Sequence, residues 1–220
     1  MLEKFKKIVI DIALFVGFFI VSLIIISLLV INGIKDYHLA NLITYFLVFF
    51  LFFLIYRKKF ITYINDFKVN YKKYFPKYLW IGIMGILLMN MSSTLIGLLV
   101  GNLSVNESTV RSTFAGTNIV ILLLNVGIMT PICEETVFRL IFKNIFNNKY
   151  VFAIITGILF ALMHMLETTS LVEWLYLIPY FIMGYTLSYI YYDSDNLINS
   201  IIVHSFNNIV TVLLLLMVGV

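Results

Sequence analysis

The sequence predicts an all-α fold, a polytopic transmembrane helical bundle with about seven spans. Of the 220 residues, 62% are hydrophobic and 12% are charged, whereas a soluble domain is about 45–50% apolar and about 25% charged. The mean hydropathy is +1.03, and a water-soluble protein of this size could not cover so much apolar surface. The sequence lacks the alternating pattern of membrane β-strands, so we expect helices.

Seven apolar segments approach the length of about 20 residues that a membrane-spanning helix needs. We expect the first to be a retained span, because it is too long for the apolar region of a signal peptide and no small-residue cleavage site follows it. The segments are Ile8–Ile31, Leu39–Tyr56, Tyr78–Val100, Asn118–Phe146 (interrupted), Tyr150–Leu166, Leu171–Tyr192 and Leu197–Val220.

The basic residues predict the orientation. If the spans alternate in direction, thirteen of the fifteen Lys and Arg residues fall on one side, and only Lys35 and Arg111 fall on the other. By the positive-inside rule the N-terminus is cytoplasmic. The net charge of +4 comes from residues that flank spans, so it does not indicate nucleic-acid binding. The basic segment 57–77 is either a solvated loop or an amphipathic helix at the membrane surface.

Ionisable residues inside spans are costly and indicate function by default. Asp11 lies one turn after a lysine cluster, so we interpret it as part of an ion pair at the membrane surface. His38 follows the first span and is expected to be an ordinary exposed histidine. The single cysteine, Cys133, excludes an internal disulfide and a multi-cysteine metal site.

Residues 130–139 read TPICEETVFR. Thr130 and Pro131 predict an N-cap and a first helical position, so we expect the helix to kink or restart there. Glu135 and Arg139 are four residues apart and can pair on one face, while Glu134 is turned away by roughly 100°. We interpret Glu135–Arg139 as a structural pair and Glu134 as a carboxylate free for chemistry. The alternative is a packing network of all three without catalysis.

Two further elements place a histidine in a predicted span. His164 follows Phe160 by one turn, and Asn208 follows His204 by one turn, so His204 and Asn208 share a helix face. A carboxylate, alone or with a histidine, can take a proton from water, and a histidine and an amide can stabilise an oxyanion.

A metal is the alternative to such a metal-free site. Glu134, His164 and His204 could ligate a divalent metal such as zinc, with one position left open. No helical HExxH pattern is present, so the spacing does not favour zinc over a metal-free site. Both alternatives stay open, and so does the identity of any cofactor.

These three elements, in this order, resemble the signature of the CAAX protease and bacteriocin-processing family, intramembrane endopeptidases that include the type II CAAX prenyl endopeptidases. The resemblance covers about residues 118–213, under half of the chain. The family pattern of EExxxR, FxxxH and HxxxN or HxxxD matches Glu134, Glu135 and Arg139, then Phe160 and His164, then His204 and Asn208.

The resemblance implies a role for each matching residue. Glu134 would be the general base together with His164, and His204 and Asn208 would stabilise the oxyanion. Arg139 would hold the helix that carries the glutamates. The chain would then divide into residues 1–117, N-terminal helices with a basic cytoplasmic loop, and residues 118–220, a catalytic membrane domain. Leu140 departs from the pattern, because many members have glycine there.

We therefore expect a protease of a bacterial cell membrane whose peptide or protein substrate enters a polar cavity from the membrane or the cytoplasmic leaflet. Bacteriocin self-immunity or peptide maturation is the expected role, and prenylated substrates are less expected. Two alternatives stay open. An ion- or proton-coupled carrier would move charge without cleavage, and a non-catalytic immunity or receptor protein would still protect cells after Glu134→Ala. The oligomeric state also stays open.

Overall fold

The computed structural model describes residues 2–101, 104–114, 117–168 and 170–218, and within these ranges it contains helices and no strands. The predicted all-α class is confirmed. A 3₁₀ turn, Val172–Tyr176, precedes the helix that begins at Leu177. Val220, the predicted end of the last span, lies outside the described residues. The helices are α1 Leu2–Ile31, α2 Tyr37–Val100, α3 Val105–Phe114, α4 Ile119–Asn144, α5 Lys149–His164, α6 Leu177–Ser194 and α7 Leu197–Val218.

Long apolar helices support a multi-pass membrane protein. Large apolar side chains on their outer faces are exposed, such as Leu23 at 66% and Leu99 at 80%, which suits contact with lipid. The predicted count of about seven spans needs two crossings within α2 and crossings by the shorter α5 and α6, and it stays a prediction. Within the described ranges, four segments are long and apolar enough by themselves to cross a membrane: Phe5–Ile31, Tyr37–Val100, Ile119–Asn144 and Leu197–Met217.

Two predicted spans and the basic segment between them form a single helix, α2, of 64 residues. Residues 57–77 are helical, so the alternative of a solvated loop is wrong, while the position of this helix at the membrane surface stays a prediction. Asp36 caps α2 by accepting a hydrogen bond from the Leu39 N–H at 3.0 Å. At Tyr56 the backbone leaves the helical range (φ −105°, ψ 15°). This kink separates the predicted span before it from the basic segment after it.

Basic residues from three helices meet acidic ones at one end of the bundle, which we call the basic end. Lys77 and Lys149 both bind Asp193, with Nζ–Oδ distances of 2.6 and 2.7 Å, and Lys143 pairs with Asp195 at 3.0 Å. Burial raises the pKa of Asp193, but the hydrogen bonds from Lys149 and Lys77 outweigh it and lower the pKa from 3.8 to about 2. These ion pairs join α2, α5 and α6.

A layer of packed side chains lies directly inside the basic end. Phe152, Tyr191 and Leu197 are 0% exposed, and they belong to one core cluster with residues of α1, α2 and α4. The hydroxyls of Tyr63 and Tyr191 share a hydrogen bond of 2.9 Å, so no polar atom of these rings is left buried without a partner. The layer closes the bundle at this end.

Two glycines let α5 and α6 approach closely. A Cβ added to Gly157 would lie 2.9 Å from the backbone nitrogen of Tyr185, and one added to Gly184 would lie 2.9 Å from the carbonyl oxygen of Gly157. Small residues allow such backbone contact between membrane helices. The approach also positions the Gly184 carbonyl for the contact with Arg139 described below.

Candidate active site

The hydrogen-bond pattern of α4 changes on both sides of its glutamates. Leu123–Met129 and Thr136–Leu140 are π-helical, and Thr130–Glu135 between them is α-helical. π-Helical turns inside α-helices are frequent at functional sites. The predicted restart is seen only as a change from π-helical to α-helical hydrogen bonding within a helix that does not end, with Pro131 in the first turn of the new segment.

The predicted N-cap at this restart is wrong. Thr130 has helical backbone angles (φ −56°, ψ −54°), and its N–H bonds to the carbonyl of Asn125. The preceding π-helical turn runs directly into the new segment. The N–H group of Thr130, which would have no helical partner if Thr130 were an N-cap, is therefore already bonded.

Glu135 and Arg139 form a fully buried ion pair. Both side chains are 0% exposed, and Nε of Arg139 lies 3.3 Å from Oε2 of Glu135. Arg139 also donates from Nη2 to the carbonyl of Gly184 at 3.3 Å, and its guanidinium lies 4.7 Å from the ring centre of Phe160. A buried charge is tolerated only when such partners surround it. The predicted contact is observed, and the structural role that we assigned to the pair stays a prediction.

His204 contacts both glutamates. Its Nδ1 lies 3.0 Å from Oε1 of Glu135, and its Nε2 lies 3.7 Å from Oε2 of Glu134. An ionised carboxylate can only accept hydrogen bonds, so Nδ1 carries the proton that bonds to Glu135. Nε2 of His204 therefore donates a hydrogen bond only when the ring is doubly protonated. The predicted role of His204 in stabilising an oxyanion therefore requires a doubly protonated ring.

Glu134 points away from the buried pair. Its side chain is 16% exposed, whereas that of Glu135 is 0% exposed. Among the described residues, Oε2 of Glu134 has no hydrogen-bond partner. This oxygen is itself buried, but the side chain of Glu134 lines the cavity described below, where a carboxylate can accept a hydrogen bond from water, as a general base must.

His164 ends α5 with its ring held between two aromatic rings. Their centres lie 4.3 Å away for Phe160 and 4.7 Å away for Tyr180. Nδ1 lies 2.8 Å from the carbonyl oxygen of Phe160. A carbonyl can only accept, so Nδ1 donates, and the neutral ring keeps Nε2 unprotonated. This tautomer can take a proton from water through Nε2.

The structure brings four predicted site residues together around a cavity of about 360 Å³: Glu134, His164, His204 and Asn208. Glu135 and Arg139 do not line it and lie behind His204. Nδ2 of Asn208 donates to the carbonyl of Val126 at 2.9 Å, which leaves its second N–H for another acceptor. The arrangement separates a buried ion pair from a group of polar side chains that face open space.

Two aromatic residues complete the site without having been assigned a role from the sequence. Phe160 contacts Arg139, His164 and His204, the last with ring centres 5.9 Å apart. Tyr180 lies against the other face of His164, and its hydroxyl shares a hydrogen bond of 2.9 Å with that of Ser104. The FxxxH spacing indicated the contact of Phe160 with His164. No sequence signal indicated Tyr180.

His38 was expected to be exposed, and this prediction is wrong, because it is 2% exposed. Its Nδ1 accepts from the side-chain amide of Asn125 at 3.1 Å, and its Nε2 bonds the hydroxyl of Thr113 at 2.9 Å. Asn41 in turn donates to Oδ1 of Asn125 at 3.3 Å. The partners lie more than 70 residues away in the sequence, so spacing could not reveal them. His38, Asn41 and Asn125 line the same cavity.

Asp11 lies outside the cavity. It is 4% exposed, and Lys7 and Lys59 are close enough to act on its charge. Oδ2 of Asp11 has no hydrogen-bond partner among the described residues, so the predicted ion pair at the membrane surface stays a prediction.

The residue types at Glu134, His164 and His204 suit zinc, and each imidazole bonds an oxygen through Nδ1, as zinc-binding histidines do. Within the described ranges, however, no three His, Cys, Asp or Glu side chains form a group that could hold a metal ion. The arrangement therefore does not provide a ligand set, and we derive no catalytic step through a metal.

Comparison with known proteins agrees with the three motifs. The UPF0177 protein YxdF of Lactococcus lactis subsp. lactis (strain IL1403) is 40% identical over 84 residues, which are 38% of this chain and 44% of that protein. The chain therefore matches less than half of the length of this relative. No solved structure matches. Residues 116–210 match the family model of the type II CAAX prenyl endopeptidase Rce1-like proteins. The predicted family resemblance is thus confirmed for the segment that holds all three motifs, and it supports a membrane endopeptidase.

Proposed function

We propose that this chain is an intramembrane endopeptidase that hydrolyses a peptide bond with a water molecule activated by Glu134 and His164. The observation that carries the proposal is the convergence of Glu134, His164, His204 and Asn208, from three helices, on one cavity. Glu134 and Nε2 of His164 are the acceptors suited to take the proton of water. The match of residues 116–210 to an endopeptidase family supports the same chemistry.

In the proposed reaction, water transfers a proton to Glu134 or His164, and the hydroxide attacks the carbonyl carbon of the substrate. The free N–H of Asn208 and the Nε2–H of doubly protonated His204 stabilise the oxyanion. The C–N bond then breaks, and the proton held by the base passes to the leaving amine. General acid–base catalysis of this kind contributes about 10²–10⁴-fold, and one oxyanion donor contributes about 10²–10³-fold.

The substrate is a peptide or protein, and the bilayer is the other partner. The family resemblance supports a role in bacteriocin self-immunity or in the maturation of a secreted or signalling peptide. The cavity lining mixes amides, hydroxyl groups, aromatic rings and aliphatic side chains, and a prenylated substrate stays the less expected case.

The test compares peptides in membranes of cells that produce the wild-type protein, Glu134→Gln or Asp66→Asn. Asp66→Asn is the control, because it removes a carboxylate that is exposed and lies outside the cavity. We expect at least one uncleaved peptide to accumulate in Glu134→Gln cells only, with its product present in the other two. Equal cleavage in all three strains would refute the proposal.

The same strains separate the two alternatives. A carrier would produce charge movement in vesicles that Glu134→Gln abolishes, without any accumulated peptide. A non-catalytic immunity protein would protect Glu134→Gln cells as well as wild-type cells. Either result, together with unchanged peptides, would replace the endopeptidase proposal.

A further inference from the structure

The cavity and the basic end lie at opposite ends of the bundle. On α5, Lys149 stands in the first turn and His164 at the end, about 22 Å apart at about 1.5 Å per residue. On α6, Asp193 belongs to the basic end, and Tyr180, thirteen residues earlier, lines the cavity. On α2, Lys77 belongs to the basic end, and the cavity residues of the same helix lie either at its N-terminus or beyond Met89.

The packed layer of Phe152, Tyr191 and Leu197 separates the two ends. All three residues are 0% exposed, and so are the side chains of the buried pair Glu135–Arg139. Protein interiors packed in this way contain few voids as large as a water molecule. None of the ion-pair residues of the basic end lines the cavity that holds Glu134, so the cavity opens away from the basic end.

The opposite end carries polar, partly exposed residues at the rim of the cavity. Tyr37 is 52% exposed, and it lines the cavity together with Glu107 of α3. Glu107 pairs with Arg111 at 2.6 Å, and their side chains are 32% and 29% exposed. Two charged residues on a ten-residue helix indicate that this rim faces water or lipid headgroups rather than the hydrocarbon core.

We infer that the cavity opens to the extracytoplasmic side of the membrane and takes a polypeptide that is present on that side. The inference combines this geometry with the orientation that the basic residues predict, in which the basic end is cytoplasmic. It rests on the proposed function for the nature of the substrate. Lys7, near the N-terminus, lies close to Lys59, as do Lys143 and Asp195 of the basic end, so the N-terminus is at the basic end. A cytoplasmic N-terminus therefore excludes access from the cytoplasmic leaflet, and the distribution of thirteen basic residues against two favours this orientation.

Labelling of single cysteines tests the side of access without any need for catalysis. Ser93→Cys places a thiol in the cavity wall, and Lys72→Cys places one on the exposed basic segment. The wild-type protein is the background control, because its one cysteine, Cys133, is 1% exposed. Intact cells and inverted membrane vesicles are treated with a small, membrane-impermeant thiosulfonate reagent.

We expect Ser93→Cys to react in intact cells and Lys72→Cys to react only in inverted vesicles. Reaction of Ser93→Cys only in inverted vesicles, or on neither side, would overturn the inference, and so would reaction of both variants from the same side. Ser93→Cys combined with Glu134→Gln should label like Ser93→Cys alone. A failure of the proposed hydrolysis therefore leaves this result unchanged, and the two failures can be told apart.

Discussion

The two adjacent glutamates should fail in different ways when each is replaced by glutamine. Glu135 is 0% exposed and lies 3.3 Å from Arg139, so Glu135→Gln leaves a buried guanidinium without its counter-charge. Removing one partner of a buried ion pair costs about 3–5 kcal/mol. Glu134 is 16% exposed and makes no ion pair with Arg139, so Glu134→Gln keeps shape and removes only the base.

The expected magnitudes separate the two variants clearly. Turnover of Glu134→Gln should fall by roughly 10²-fold or more, which corresponds to at least about 2.7 kcal/mol in the activation barrier. Its melting temperature should stay near the wild-type value. Glu135→Gln should show a lower melting temperature and reduced yield. Glu135→Gln combined with Arg139→Met should recover part of the stability, because no lone buried charge remains.

The assay pairs melting temperature in detergent with cleavage rate in liposomes for each variant, on a substrate identified by its accumulation in Glu134→Gln cells. The double variant serves as the control for Glu135→Gln. If Glu134→Gln were the unstable protein and Glu135→Gln the stable, inactive one, the assignment of the two carboxylates would be reversed. If both kept full activity, neither would be the base.

Two further predictions concern metal content and pH. Protein purified without chelators should contain well under one zinc per chain by plasma mass spectrometry, because its His and Glu residues do not form a ligand set among the described residues. Stoichiometric zinc that is lost together with activity on chelation would contradict this prediction. Because the pKa of Asp193 is lowered from 3.8 to about 2, its ion pairs stabilise the fold above about pH 4 and lose that contribution as the pH falls towards 2. Asp193→Asn should lower the melting temperature at pH 6 and flatten its fall between pH 4 and pH 2, and an unchanged pH profile would show that the pairs contribute nothing measurable.

The sequence predicted those parts of the site that depend on local geometry. Glu135 and Arg139 meet because residues four apart on a helix are neighbours, and Glu134 diverges from them because one residue turns the helix by about 100°. The contact of His204 with Glu135 joins residues 69 positions apart, and periodicity carries no information on such a pair. The burial of His38 was missed for the same reason, since its partners come from α3 and α4.

The continuity of α2 shows that hydropathy alone does not predict where a helix ends. Lysines between two apolar segments mark where a chain leaves the hydrocarbon core, and they say little about whether the helix ends there. Lys and Arg are good helix formers, and residues 57–77 contain one proline, Pro76, and no glycine. Helical propensity therefore continues through the segment that hydropathy marks as a boundary, and α2 bends at Tyr56 without ending.

Because His204 lies between two carboxylates, we propose that the buried pair takes part in the chemistry as well as in the fold. Arg139 helps to keep Glu135 ionised, and ionised Glu135 fixes the proton of His204 on Nδ1. Nε2 then faces Glu134 at 3.7 Å, where a second proton on the ring would be attracted by the carboxylate. In Glu135→Gln with Arg139→Met, the amide oxygen of glutamine can still accept from Nδ1, so the ring keeps its orientation while the negative charge of Glu135 and the positive charge of Arg139 are both gone. Activity of this double variant, measured once its stability is restored, therefore reports how much the charged pair supports doubly protonated His204. If its rate equals that of the wild type, the charges of the pair act through structure alone.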